Sequence, residues 1–181
     1  CLMWVSSHAL APDRTAGIAW RAAAFTNLTR DHLDYHGTMA EYAEAKMKLF
    51  AALPPGARAV VNLDDPLGER ILARLPAGVE GLSCSLDPAR GAAITLLDRR
   101  RSGWGYTLAL DLAGERVEAE LPLAGSFNVA NALCALGLAL ALGLTPAAAA
   151  AGLAATTPAP GRLERIAGGG GPLVCVDYAH T

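Results

Sequence analysis

Short apolar runs alternate with helical patterns through the first half of the chain. Strand-like runs fall at Leu2 to Val5, Arg21 to Phe25, Arg58 to Leu63 and Val79 to Cys84, and helical patterns at Thr38 to Leu53 and from about Pro66 to Leu75. Strand and helix in alternation predict a parallel α/β sheet. Thr38 followed by Glu41 predicts a capping box at the start of the first of these helices. Ala92 to Leu97, Trp104 to Leu112 and Arg116 to Leu121 then follow with no helix between them. Tyr106, Leu108, Leu110 and Leu112 alternate with less apolar neighbours, which predicts an antiparallel patch. Helices return at Phe127 to Leu142 and Pro146 to Ala155, and the run Thr156-Thr157-Pro158-Ala159-Pro160-Gly161 stops the pattern, as at a domain junction. Gly168 to Gly171 with Pro172 reads as a hairpin tip between Leu163 to Ile166 and Leu173 to Tyr178. A phosphate cradle there is the weaker reading, because a strand follows where a phosphate loop needs a helix N-terminus. Cys1 to Val5 reads as a strand already under way, and Thr181 directly follows another, so both ends look cut.

One polar residue breaks the helical pattern. At about 100° per residue, Met39, Tyr42, Ala43, Leu49, Phe50 and Leu53 share one face and Glu41, Glu44 and Lys48 the other, with Lys46 near the middle of the apolar face. A lysine there must snorkel, pair with an acid, lose its charge or be chemically changed. Just before that helix, the polar segment Thr26 to Gly37 holds His32 and His36 with Asp31 and Asp34. Two histidines four apart among carboxylates suit a zinc hydrolase, whereas loop histidines more commonly cap and hydrogen-bond. Ser6 and Arg14 supply a hydroxyl and a guanidinium suited to phosphate or carboxylate, or simply a polar loop after a strand. Asn128 and Asn131, three apart in the first turn of an apolar helix, suggest a ligand more than a cap. Arg162 and Asp177 are unremarkable as isolated residues.

Composition narrows the class without identifying it. The 181 residues, 52% hydrophobic and 18% charged, suit one folded domain and exclude a disordered chain. A formal charge of −2 gives no footprint for nucleic acid, and Arg99 to Arg101 reads as a solvated strand end or turn. The apolar stretch from Ala130 past Pro146 is broken by Asn131, Gly137, Gly143 and Pro146, so it reads as a buried helix pair and no membrane span. Cys1, Cys84, Cys134 and Cys175 show no paired spacing, and no secretory leader precedes them. They read as reduced thiols of a cytoplasmic protein.

Five blocks in order carry a resemblance: Val5-Ser6-Ser7-His8-Ala9-Leu10; Thr26 to Gly37 with Lys46; Gly125-Ser126-Phe127-Asn128-Val129-Ala130-Asn131; Gly161-Arg162-Leu163-Glu164; and Val176-Asp177-Tyr178-Ala179-His180-Thr181. Together they resemble the central domain of the Mur ligases, within the branch that adds a third residue to UDP-N-acetylmuramoyl-dipeptide. The resemblance implies a mostly parallel P-loop-type sheet flanked by helices with an additional antiparallel strand patch. Residues 1–157 would be part of the central ATPase domain, and 158–181 a linker and the first strands of a C-terminal ligase domain. It implies ATP-dependent amide formation in peptidoglycan synthesis, and so in cell-wall biogenesis, cell shape and division. Mg²⁺ and ATP would take part, UDP-N-acetylmuramoyl-L-alanyl-D-glutamate and diaminopimelate or lysine would be joined, and the protein would be a monomer.

By the same resemblance Lys46 is carbamylated and ligands Mg²⁺ with His32, while His36 has no such role. Ser6 and Arg14 hold the UDP-muramoyl-peptide, Asn131 reads adenine, and Asn128 supports the nucleotide site. Arg162 meets ATP phosphates, and Asp177 lies beside the ribose. Two departures stand out. Trp4 occupies the place of the family's glutamate, and an indole cannot ligand a metal. No Gly-x-x-Gly-Lys-Thr/Ser motif occurs in these residues. The 181 residues alone are therefore expected to be inactive, and a non-catalytic binding relative is the main alternative, ahead of a zinc hydrolase.

Overall fold

The computed structural model describes residues 1–10, 14–29, 37–166 and 174–178. The elements in chain order begin with α1 (Ser7–Leu10), β1 (Ala22–Phe25), α2 (Met39–Ala51), β2 (Arg58–Asn62), α3 (Pro66–Ala73), β3 (Glu80–Ser85) and a 3₁₀ turn (Pro88–Arg90). Then follow β4 (Ile94–Ser102), β5 (Gly105–Leu112), β6 (Glu115–Leu121), α4 (Ser126–Ala141), α5 (Pro146–Ala154), β7 (Glu164–Ile166) and β8 (Val174–Val176). Strands β1 to β6 form one sheet in sequence order, parallel from β1 to β4 and antiparallel from β4 to β6. β7 and β8 pair antiparallel in a small sheet of their own.

Local chemistry starts each crossover helix. The Thr38 hydroxyl accepts the Glu41 N–H at 3.2 Å and the Glu41 carboxylate accepts the Thr38 N–H at 3.1 Å, so the expected capping box is formed in both directions. Asp65 caps α3 with Pro66 behind it, and Thr145 caps α5 with Pro146 behind it. In β2 the side chains alternate between two cores. Val60 faces α4 with Cys84, Ile94, Leu133 and Leu136, whereas Ala59 and Val61 face α2 and α3 with Phe25, Met47, Phe50 and Ile71. Both faces are buried, as the continuous apolar run of β2 requires. Helix α4 lies close to the sheet at Gly137, where a Cβ would stand 2.6 Å from Val60 Cγ1.

Two expectations need correction. Leu2 to Val5 is not a strand: the segment has no ladder partner among the described residues, and Leu2 and Trp4 are each 89% exposed. It passes beside β1 as one wall of a cavity, and an apolar run becomes a strand only where an edge takes its backbone hydrogen bonds. Strand β4 runs five residues past the expected Leu97, because Asp98 to Ser102 pair residue by residue with Gly105 to Ala109 beyond a register shift between Leu96 and Asp98. Arg99 to Arg101 form the exposed end of that strand, with Arg100 meeting Glu118 of β6 at 3.1 Å. No helix among the described residues is long and apolar enough to cross a membrane.

Candidate functional site

In an open parallel sheet, ligands gather outside the C-terminal ends of the strands. Here β1 ends at Phe25, β2 at Asn62 and β3 at Ser85, and the residues just beyond them are tied together by polar side chains. The Asn62 amide donates to the Thr26 carbonyl at 2.8 Å, and its oxygen accepts the Asp64 N–H at 3.0 Å. The Asp65 carboxylate accepts the Leu67 N–H at 2.9 Å and the Leu28 N–H at 2.6 Å. Asp64 in turn accepts the buried Ser85 hydroxyl at 2.6 Å and the Leu86 N–H at 2.9 Å. Sequence reasoning passed over this network. Its signal was the Asn-x-Asp-Asp-Pro run after a strand, residue types that bind local backbone in turns and caps.

Lys46 projects from α2 at the side of this edge. It is half-buried, with its ammonium 5.0 Å from the centre of the Tyr42 ring. Tyr42, Ala43, Ala45, Met47 and Phe50 are the buried residues of α2, and Glu41, Glu44 and Lys48 are exposed. Lys46 thus sits at the border of the apolar face and opens into a cavity shared with Thr26, Trp4, Trp20 and Phe50. That cavity resolves the steric puzzle of a lysine among hydrophobes. His32, His36, Asp31 and Asp34 lie outside the described residues. Among the described residues, no three histidine, cysteine or acidic side chains are grouped to hold a metal ion.

The remaining candidates fall into two groups. Ser6 caps α1, its hydroxyl accepting the Ala9 N–H at 3.3 Å, and Ser7 beside it is buried with a hydroxyl that meets no partner among the described residues. Arg14 is exposed and closes the turn after α1 through its N–H to the Ala9 carbonyl. At the far end of the sheet, Asn128 donates to the Ala124 carbonyl at 2.6 Å and accepts from the Asn131 amide at 3.3 Å. Asn131 is exposed, and Phe127, one turn before it, is 56% exposed. The Leu163 side chain packs close to Gly125, which brings the segment holding Arg162 up to the first turn of α4. Asp177 accepts the Leu163 N–H at 2.8 Å, and the Arg162 guanidinium lies 5.5 Å from the Tyr178 ring centre. Asn128, Asn131, Arg162 and Asp177 therefore gather in one neighbourhood although the last two come from the final residues of the chain.

The cysteines give one surprise. Cys84 and Cys134, read as unpaired by spacing, place their buried sulfurs 3.6 Å apart as free thiols, while Cys1 and Cys175 are exposed. The hydrogen bond to Cys134, reinforced by burial, pushes the Cys84 thiol far up. The same bond lowers Cys134 against the opposing effect of burial.

A parallel sheet with capped helices on both faces, an antiparallel extension and a polar cluster at its strand ends defines an open-sheet α/β domain. The model of the Mur ligase middle domain matches residues 1–139, and the chain belongs to the Mur ligase family. The UDP-N-acetylmuramoyl-L-alanyl-D-glutamate--2,6-diaminopimelate ligase of Ralstonia nicotianae is 46% identical over 186 residues, covering 99% of this chain and 36% of that protein. A ligase of the same name from Gloeobacter violaceus is 45% identical over 181 residues, again covering 99% of this chain and 36% of the relative. A solved structure of a ligase of that name superposes with a TM-score of 0.84 at 37% identity, covering 98% of this chain and 36% of the other. MurF from Acinetobacter baumannii shares the fold, with a TM-score of 0.77 at 24% identity over 89% of this chain and 34% of the other. The chain spans about 36% of the length of the curated relatives it matches.

Proposed function

We propose that the full-length gene product is an ATP-dependent, amide-forming ligase that joins diaminopimelate to UDP-N-acetylmuramoyl-L-alanyl-D-glutamate in the cytoplasm. The observation that carries the reading is the match of 99% of the chain, at 46% identity, to a ligase named for that reaction. The relatives' names favour diaminopimelate over lysine as the incoming residue.

The site residues support the chemistry in part. Lys46 opens into the cavity beside Thr26, where its amine can add CO₂ and lose a proton to become a carbamate. That converts a cation into an oxygen donor fit for Mg²⁺, which would be held by Lys46 and His32. The ion's chemistry there is to offset the charge of a substrate carboxylate brought up to the ATP γ-phosphate. Asn131, exposed beside Phe127, is assigned to the adenine edge, with Asn128 supporting it through their mutual hydrogen bond. Arg162 and Asp177 approach the same turn and are assigned to phosphate and ribose. Ser6 and Arg14 are assigned to the UDP-muramoyl-peptide. Trp4 gives no oxygen donor, and the 181 residues alone are expected not to turn over.

The test is Lys46→Ala in the full-length gene product, assayed for ADP release dependent on both substrates. Turnover should fall by about a hundredfold or more and return in part when acetate or propionate fills the place of the carbamate. Unchanged turnover, or a loss that no short carboxylate restores while the thermal midpoint is intact, overturns the role of Lys46.

A further inference from the structure

We propose that Asn62 and Asp65 are positioning residues of this ligase, which hold the backbone of Thr26 to Leu28 in place at the mouth of the Lys46 cavity. The inference rests on the ligase reading above.

Each of the two side chains makes one local and one distant bond. Asp65 ends the loop after β2 and uses one carboxylate oxygen to cap α3 through the Leu67 N–H at 2.9 Å. A serine or threonine performs that capping task equally well. The second oxygen reaches 37 residues back along the chain to the Leu28 N–H at 2.6 Å, a charge-assisted bond that capping does not require. Asn62 is likewise bivalent. Its oxygen shapes the local turn through the Asp64 N–H at 3.0 Å, and its amide donates at 2.8 Å to the Thr26 carbonyl, 36 residues away. Asn62 is 7% exposed, so the donor is locked by packing as well as by its partners. Helix α3 lies against the same point, since a Cβ on Gly68 would collide with the Asn62 carbonyl oxygen.

The consequence is mechanical. Residues 26–29 lie in no helix or strand, and both of these grips on them come from the buried end of β2 and the turn that follows it. Thr26 also lines the cavity into which Lys46 opens. Loss of either grip leaves the cap and the core standing while the Thr26 backbone loses its registry with Lys46. A displacement of about 1 Å at a reacting centre can cost about a hundredfold in rate.

The experiment is Asp65→Ser in the full-length gene product, because serine keeps the cap of α3 and is too short to reach Leu28 as well. Three readouts are taken together: thermal midpoint, KM against kcat for both substrates, and hydrogen exchange of residues 26–29. The expected result is a thermal midpoint within about 3 °C of wild type, faster exchange at Leu28, and a kcat lower by about ten- to a hundredfold with KM values little changed. Asn62→Asp, which sets a carboxylate against the Thr26 carbonyl, should show the same kcat loss. A fall in thermal midpoint with kcat retained makes both residues structural and overturns the proposal. Unchanged exchange at Leu28 overturns it as well. Wild-type protein with no turnover dependent on ATP and both substrates removes the ligase reading, and the proposal with it.

Discussion

The same substitution in two neighbouring helices should move stability in opposite directions. Gly137 lies in the middle of α4 facing the sheet, and Gly152 lies on the exposed side of α5. Alanine gains about 1 kcal/mol over glycine in a helix interior wherever the added methyl has room. At Gly152 nothing stands within 4 Å of the new Cβ, so Gly152→Ala should stabilise by about 0.5–1 kcal/mol. At Gly137 the Cβ would stand 2.6 Å from Val60 Cγ1 and 2.9 Å from Ile94 Cδ1, where carbon atoms prefer about 3.5–4.0 Å. Val60 and Ile94 are both fully buried and β-branched, so neither can swing aside. Helix α4 must retreat by about 1 Å, and overpacking of this kind costs about 1–3 kcal/mol. Set against the gain in helix propensity, the net is a loss of up to about 2 kcal/mol, or up to about 8 °C in thermal midpoint for a chain of this size. Urea and thermal unfolding of the 181-residue chain, followed by circular dichroism, measure both variants against wild type. A Gly137→Ala variant that gains stability as Gly152→Ala does would show that α4 does not seat on the sheet as described. Destabilisation by Gly152→Ala would refute the account of α5.

Two further outcomes are expected. Asn131→Ala should weaken nucleotide binding in the full-length gene product by roughly fivefold, the worth of about 1 kcal/mol for one hydrogen bond, with little change in stability because Asn131 is exposed; calorimetric titration with ATP that finds equal affinity counts against its role. A thiol reagent at pH 7.5 should label Cys1 and Cys175 quickly and Cys84 only on unfolding, since Cys84 is buried and its thiol is held protonated by the bond to Cys134; rapid labelling of all four cysteines in native protein would contradict that arrangement.

Much of the frame could be read along the chain because its causes are local. The period-two run through Tyr106 to Leu112, the capping pair Thr38 and Glu41, and the Pro-led starts at Pro66 and Pro146 each set an element within a few residues, and each element is present. Lys46 stood out by the same logic, although the fold sets it at the border of the apolar face and not in its middle. Resemblance added roles for Ser6, Arg14, His32, Asn128, Asn131, Arg162 and Asp177 that spacing did not supply.

What the chain could not show by itself depends on where distant segments return. Whether Leu2 to Val5 is a strand turns on whether a sheet edge pairs with it, and none among the described residues does. The 3.6 Å approach of Cys84 to Cys134, 50 residues apart, exists only because α4 crosses the face of β3. Asn62 and Asp65 drew no reading from the sequence; their bonds to Thr26 and Leu28 appear once β1 and β2 lie side by side. Local hydrogen bonds and side-chain periodicity determine elements from the amino acids alone, whereas a site is made of atoms brought together by packing, and only the folded chain sets those distances.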